Sequence, residues 1–258
     1  MAYFYIEFMN DCVNIRKQLI EKPNREKLLL QYNYMTKKDI KYNNDYNWNN
    51  LRELNDYEMK YILYLLSQIS SSIKEFILQG ESLMICFWLC NGEGNCPFTI
   101  INDVYPYNHI ILSTIETSVE TLIHELLHIH YKKYKVWKNW YNRLWNENLS
   151  YYIGNETSKI NLPIRFNPDN LHVGYYKIKE NDDEYKFLIY PVKEQNNINC
   201  KTTLFYYIYD NKNKMWCMNN KLLINYILQK YFSFPKYINI ESPDEIWVYL
   251  VMNQLLHI

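Results

Sequence analysis

Apolar residues recur at helical spacing from Glu116 to Tyr131, ETSVETLIHELLHIHY, with Val119, Leu122, Ile123, Leu126 and Ile129 on one side. The same spacing predicts a helix from Asn55 to Gln79. Its stripe is Tyr61, Leu65, Ile69, Ile73, Phe76 and Ile77, and Gly80 stands where it should stop. Cys12 to Tyr32 carries a looser helical pattern interrupted at Pro23, and Lys37 to Asn50 reads as a polar loop. Residues 1–80 are thus expected to form a helical N-terminal region that packs on a core built from residues 81–258.

The pattern changes at Leu83. Leu83 to Cys90 is a continuous apolar run of strand length. Turn-forming Asn91 to Asn95, then Cys96-Pro97-Phe98-Thr99, separate it from a second strand near His109 to Leu112. Trp137 to Tyr152 returns to helical spacing. Leu171–Ile178, Tyr185–Val192 and Thr202–Tyr209 read as three strands of a small antiparallel sheet. Met218 to Tyr231 reads as a helix ended by Pro235, and a last helix opens at Ser242-Pro243-Asp244-Glu245 and runs to Leu256. The expected class is α+β.

Composition narrows the function classes. Lys+Arg and Asp+Glu both number 28, so nothing favours a general nucleic-acid or membrane-surface binder. The longest apolar run, Leu83 to Cys90, is far too short to span a bilayer. The start, MAYFYIEFMNDC, has no basic leader and no sustained apolar core, so an intracellular setting is expected. In that setting the cysteines, Cys12, Cys86, Cys90, Cys96, Cys200 and Cys217, are expected as free thiols. The spacing of Cys86, Cys90 and Cys96 matches no familiar zinc pattern.

Within the 116–131 helix lies His124-Glu125-Leu126-Leu127-His128, an H-E-x-x-H motif. One helical turn separates the two histidines, so they share a face and can share one tetrahedral ion, with Glu125 beside its open position. A surface helix with idle histidines is the plain alternative, but the helical context favours the metal. His130 lies about 200° round the helix from His128, on the apolar side. His109, at the start of a strand near the cleft, is a weaker further candidate. Residues 108–112 are a candidate for a strand that aligns an extended substrate by β-addition, though an ordinary sheet strand explains them equally well. A third ligand has to come from elsewhere. Glu147 follows His128 at a spacing some zincins use for a glutamate ligand. A histidine ligand just downstream is disfavoured, because Lys132, Lys133 and Tyr134 stand there.

A strand with Pro97-Phe98-Thr99, the HELLH helix, an aromatic helix, the Asn167-Pro168-Asp169 turn and the Ser242-Pro243-Asp244-Glu245-Ile246-Trp247-Val248-Tyr249 helix follow one another in this order. This resembles the H-E-x-x-H zinc metallopeptidase family of large nucleocytoplasmic DNA viruses over roughly residues 83–256. The chain departs at Ser242, where a histidine is common, and at Val248, where alanine is common. The resemblance implies a zincin-like catalytic domain over residues 81–258, with His124, His128 and Glu245 as zinc ligands and Glu125 as general base. Asn167 and Asp169 would shape the cleft. It further implies a zinc-dependent metallopeptidase, acting on a peptide or protein substrate in a host cytoplasm, in which Glu125 assists the attack of water on the peptide bond. The Glu245 position is also a plain capping box, which would turn its side chain back to the Ser242 N–H with no metal at all. A catalytically inactive zinc-binding module, or a host-interaction protein with an incidental motif, are the other classes.

Overall fold

The computed structural model describes residues 4–6, 51–90, 98–101, 108–136, 139, 149–153, 174–180, 183–193, 202–218 and 242–256. Within them the chain is mixed α and β, with four helices and two five-stranded sheets. No helix of the described residues is long and apolar enough to cross a membrane.

The first sheet contains β1 (Phe4–Ile6), β2 (Leu51–Glu53), β3 (Leu83–Cys90), β4 (Phe98–Ile101) and β5 (Asn108–Leu112). Its order is β1-β3-β5-β4, with β2 pairing the far end of β3. β1, β3 and β5 are parallel, and β4 runs antiparallel to β5. The uninterrupted apolar run of β3 has a simple cause. Leu83, Ile85, Phe87 and Leu89 join the main core, and Cys86 and Trp88 are buried on the opposite face.

Four helices supply the other half of that core: α1 (Asp56–Gln68), α2 (Ser71–Leu78), α3 (Val119–Lys133) and α4 (Pro243–Leu256). Asn55 caps α1 in a capping box with Glu58, which also takes both guanidinium nitrogens of Arg52 at 2.7 Å. The helix expected from Asn55 to Gln79 is in fact two. Ile69 is extended, and the Ser70 hydroxyl accepts from the Ile73 N–H, starting a new helix. Gly80 lies just beyond α2 at φ +81, following Gln79 at φ 46, which is the expected stop. The N-terminal region is not wholly helical either, because β1 and β2 add themselves to the first sheet through β3. Three-residue strands are too short to show a period, and only their pairing with β3 reveals them.

Helix α3 starts later than the sequence suggests. Ser118 caps it, accepting from the Thr121 N–H at 3.1 Å. It ends in a Schellman motif, with Val136 N–H bonded to Tyr131 O at 3.0 Å and Lys135 at φ 52. Leu122, Ile123, Leu126, Leu127 and Ile129 are all buried in the core.

The second sheet is antiparallel throughout, in the order β10-β9-β8-β7-β6. Its strands are β6 (Leu149–Ile153), β7 (Gly174–Glu180), β8 (Asp183–Lys193), β9 (Thr202–Asp210) and β10 (Met215–Met218). The three expected strands are present and two more flank them. β6 corrects the end of the helix expected at Trp137 to Tyr152: residues 149–152 pair with β7 instead. Met218 likewise closes a strand and does not open a helix; residues 219–231 lie outside the described residues. Cys217 is an exposed free thiol, and Cys86 is buried. Cys12, Cys96, Cys200 and the side chain of Cys90 lie outside the described residues.

Candidate metal centre

Helix α3 presents His124 and His128 one turn apart, and their Nε2 atoms come within 3.1 Å of each other. Helix α4 brings Glu245 to the same point. Its Oε2 is 3.5 Å from His124 Nε2 and its Oε1 is 3.5 Å from His128 Nε2. Taking one ligand atom from each residue, the three lie within 4.8 Å of one another.

Local and nonlocal forces share in this placement. The Ser242 hydroxyl accepts from the Glu245 N–H at 3.2 Å, and the Ser242 carbonyl accepts from Ile246, so the first turn of α4 is fixed. The capping half that Ser242 provides is therefore present, yet both carboxylate oxygens face the imidazoles. Aromatic packing between the helices sets the register. Trp247 stacks on His130 with ring centres 5.8 Å apart and lies 5.0 Å from the Tyr131 ring, while Tyr249 packs 4.9 Å from the His124 ring. The amino end of α4 also favours a carboxylate electrostatically.

The group is mostly sealed. His128 is fully buried and Glu245 nearly so, whereas the His124 side chain keeps 16% of its surface exposed. Access is from the His124 side, where half-buried Tyr249 stands. Burial pushes the Glu245 carboxyl up, but the charge of His128 and hydrogen bonds from His124 and His128 outweigh it and hold it well below the usual range. A buried carboxylate needs positive charge beside it. One divalent cation at the point where the three groups converge would supply that charge and take a lone pair from each imidazole.

The donor set fits zinc. Ligands about 2.0–2.2 Å from a tetrahedral ion stand about 3.3–3.6 Å from each other. The spacings of 3.1, 3.5 and 3.5 Å lie close to that range. Two nitrogens and a carboxylate oxygen are also the ligand types this ion takes at open, catalytic sites.

Glu125 is buried beside the histidines, and its Oε2 accepts from the Thr99 hydroxyl of β4 at 2.7 Å. His109 and His130 are not part of the cluster. His109 Nδ1 accepts from the Trp88 indole N–H at 3.1 Å, and burial pushes its pKa down to about 4. His130 donates from Nδ1 to the Ile77 carbonyl at 2.9 Å. Glu147, Asn167 and Asp169 lie outside the described residues.

The topology corrects the expected substrate-aligning strand. Residues 108–111 pair on both sides, with β3 and with β4, so β5 is interior. Among the described residues the edge belongs to β4. Two site residues escaped the sequence reading. Tyr249 follows Glu245 by one helical turn, a spacing that would have placed it on the ligand's face. Thr99 carries no such signal, because its contact with Glu125 crosses from sheet to helix.

No family model, curated protein or solved structure matches the chain.

Proposed function

We propose that this chain is a zinc-dependent metallopeptidase, with His124, His128 and Glu245 holding the ion and Glu125 serving as general base. One observation carries the reading. A carboxylate from the last helix reaches two histidines of an H-E-x-x-H motif at ligand spacing. Structural zinc sites are closed by four protein ligands, whereas catalytic ones keep three and an open position. Among the described residues the cluster has three. An inert zinc staple also needs no base, whereas the motif carries Glu125 next to the first histidine.

Zinc bound there would supply a Lewis acid and bring the pKa of a water towards about 7. Glu125 takes the proton of the attacking water and delivers it to the leaving amine. Among the described residues no strand pairs with the outer side of β4, so an extended peptide can add to that edge. Of the described tyrosines, Tyr249 is the one packed on a ligand histidine, which makes it the donor to test for the developing oxyanion. This mechanism is of the zincin type, as the resemblance to the viral family implies.

The test uses the purified full chain. Metal analysis should find about one zinc per chain, and a mixed peptide library should be cleaved. Glu125→Gln should keep the zinc and lose cleavage by orders of magnitude, because an amide cannot accept the proton. A chain without stoichiometric zinc, or a Glu125→Gln variant as active as the wild type, would defeat the proposal.

A further inference from the structure

We infer that Thr99 is a positioning residue for Glu125: its hydroxyl fixes the carboxylate and ties it to the edge strand β4. This rests on the metallopeptidase reading above and adds to it a residue outside the motif.

The geometry is specific. Thr99 and Glu125 are both buried, at 0% and 2% exposure, so bulk water does not substitute for the bond between them. The Thr99 Oγ1 stands 2.7 Å from Glu125 Oε2 and 3.3 Å from the Glu125 carbonyl oxygen. A hydroxyl has one proton to donate, and the shorter contact with a carboxylate is the stronger of the two. The terminal torsion of a glutamate is broad, so the side chain alone does not fix the plane of its carboxylate. Threonine constrains that plane, because its branched Cβ restricts the first torsion and the strand fixes its backbone.

Register decides that the hydroxyl points the right way. Thr99 pairs with Ile110, and Ile110 belongs to the core between this sheet and the helices. Paired residues share a face, so Thr99 faces α3. A peptide added to β4 and the base that serves it are then referenced to one strand. The expected signature is a loss in turnover with little change in substrate binding, since misplacing a base is felt in the transition state.

The experiment compares Thr99→Val, Thr99→Ser and Thr99→Ala with wild type as purified full chains. Thr99→Val should keep about one zinc per chain and a KM within about twofold, while kcat falls about 10- to 100-fold. Thr99→Ser, which restores the hydroxyl, should recover most of kcat. Thr99→Ala adds no bulk and must lose kcat similarly, which covers a Thr99→Val protein that does not fold. A second readout needs no turnover. In a double-mutant cycle of urea unfolding, Thr99→Val and Glu125→Met should couple by about tenfold or more in the folding equilibrium constant. Additive effects, a hydroxyl-free variant with wild-type kcat, or a Thr99→Ser protein as slow as Thr99→Val would each overturn the inference. A wild type with neither zinc nor cleavage defeats the metallopeptidase reading and the positioning role together. An active wild type with an unimpaired Thr99→Ala defeats the positioning role alone.

Discussion

The four described histidines are all wholly or partly buried, yet they are wired in two different ways. His109 and His130 each spend a ring nitrogen on a fixed protein partner, the Trp88 indole and the Ile77 carbonyl. Phe76 and Trp247 stack against the His130 ring as they would against any aromatic neighbour. His124 and His128 instead turn their Nε2 atoms on each other and on a carboxylate. Burial does not separate the two pairs, since His109, His128 and His130 are all nearly inaccessible. What separates them is whether ring nitrogens converge on one point or are each absorbed by the surrounding protein.

The most severe way to break that contrast is metal analysis of alanine variants. His124→Ala or His128→Ala should lose zinc almost completely, whereas His109→Gln should retain it. A His124→Ala/His128→Ala double variant at full occupancy would end the distinction. Glu245→Gln comes next. Removing a direct ligand should weaken zinc binding by more than the roughly 10- to 100-fold typical of an outer-shell partner, as read by competition with a chelator. Unchanged affinity would return Glu245 to a capping role.

The smallest effect concerns pH and sharpens the other half of the comparison. The pKa of His109 is pushed down by burial from 6.5 to about 4. A group with a depressed folded pKa binds more protons when unfolded, so its contribution is present above about pH 6.5 and is lost as the pH falls towards 4. The ceiling is on the order of 3 kcal/mol. Urea midpoints at pH 7.5 and 4.5 should therefore differ less in His109→Gln than in the wild type. Equal differences would mean that His109 titrates normally and is not a neutral core fitting.

Much of the fold was legible where the determinants are local. The motif helix showed its period, and the last helix showed its Ser-Pro-Asp-Glu start. Strands β7, β8 and β9 lie within a few residues of the runs that predict them. Failures fell where pairing across distance decides. β1 and β2 gain strand character only from β3, and residues 149–152 are drawn from a helical pattern into β6 by pairing with β7. Ser70 shows a subtler limit. An unbroken apolar stripe crosses it, and only its cap bond to Ile73 reveals that the helix restarts.

For the candidate centre the division is similar. The sequence by itself determined that His124 and His128 share a helix face with Glu125 beside them, because helical geometry fixes the relation of residues one turn apart. Only the tertiary structure decided that Glu245 joins them and that Thr99 of the edge strand holds Glu125. Those meetings depend on how Trp247 seats against Tyr131 and His130, and on the register of β4 against β5. Both are contacts between elements far apart in the chain, and no spacing along it encodes them.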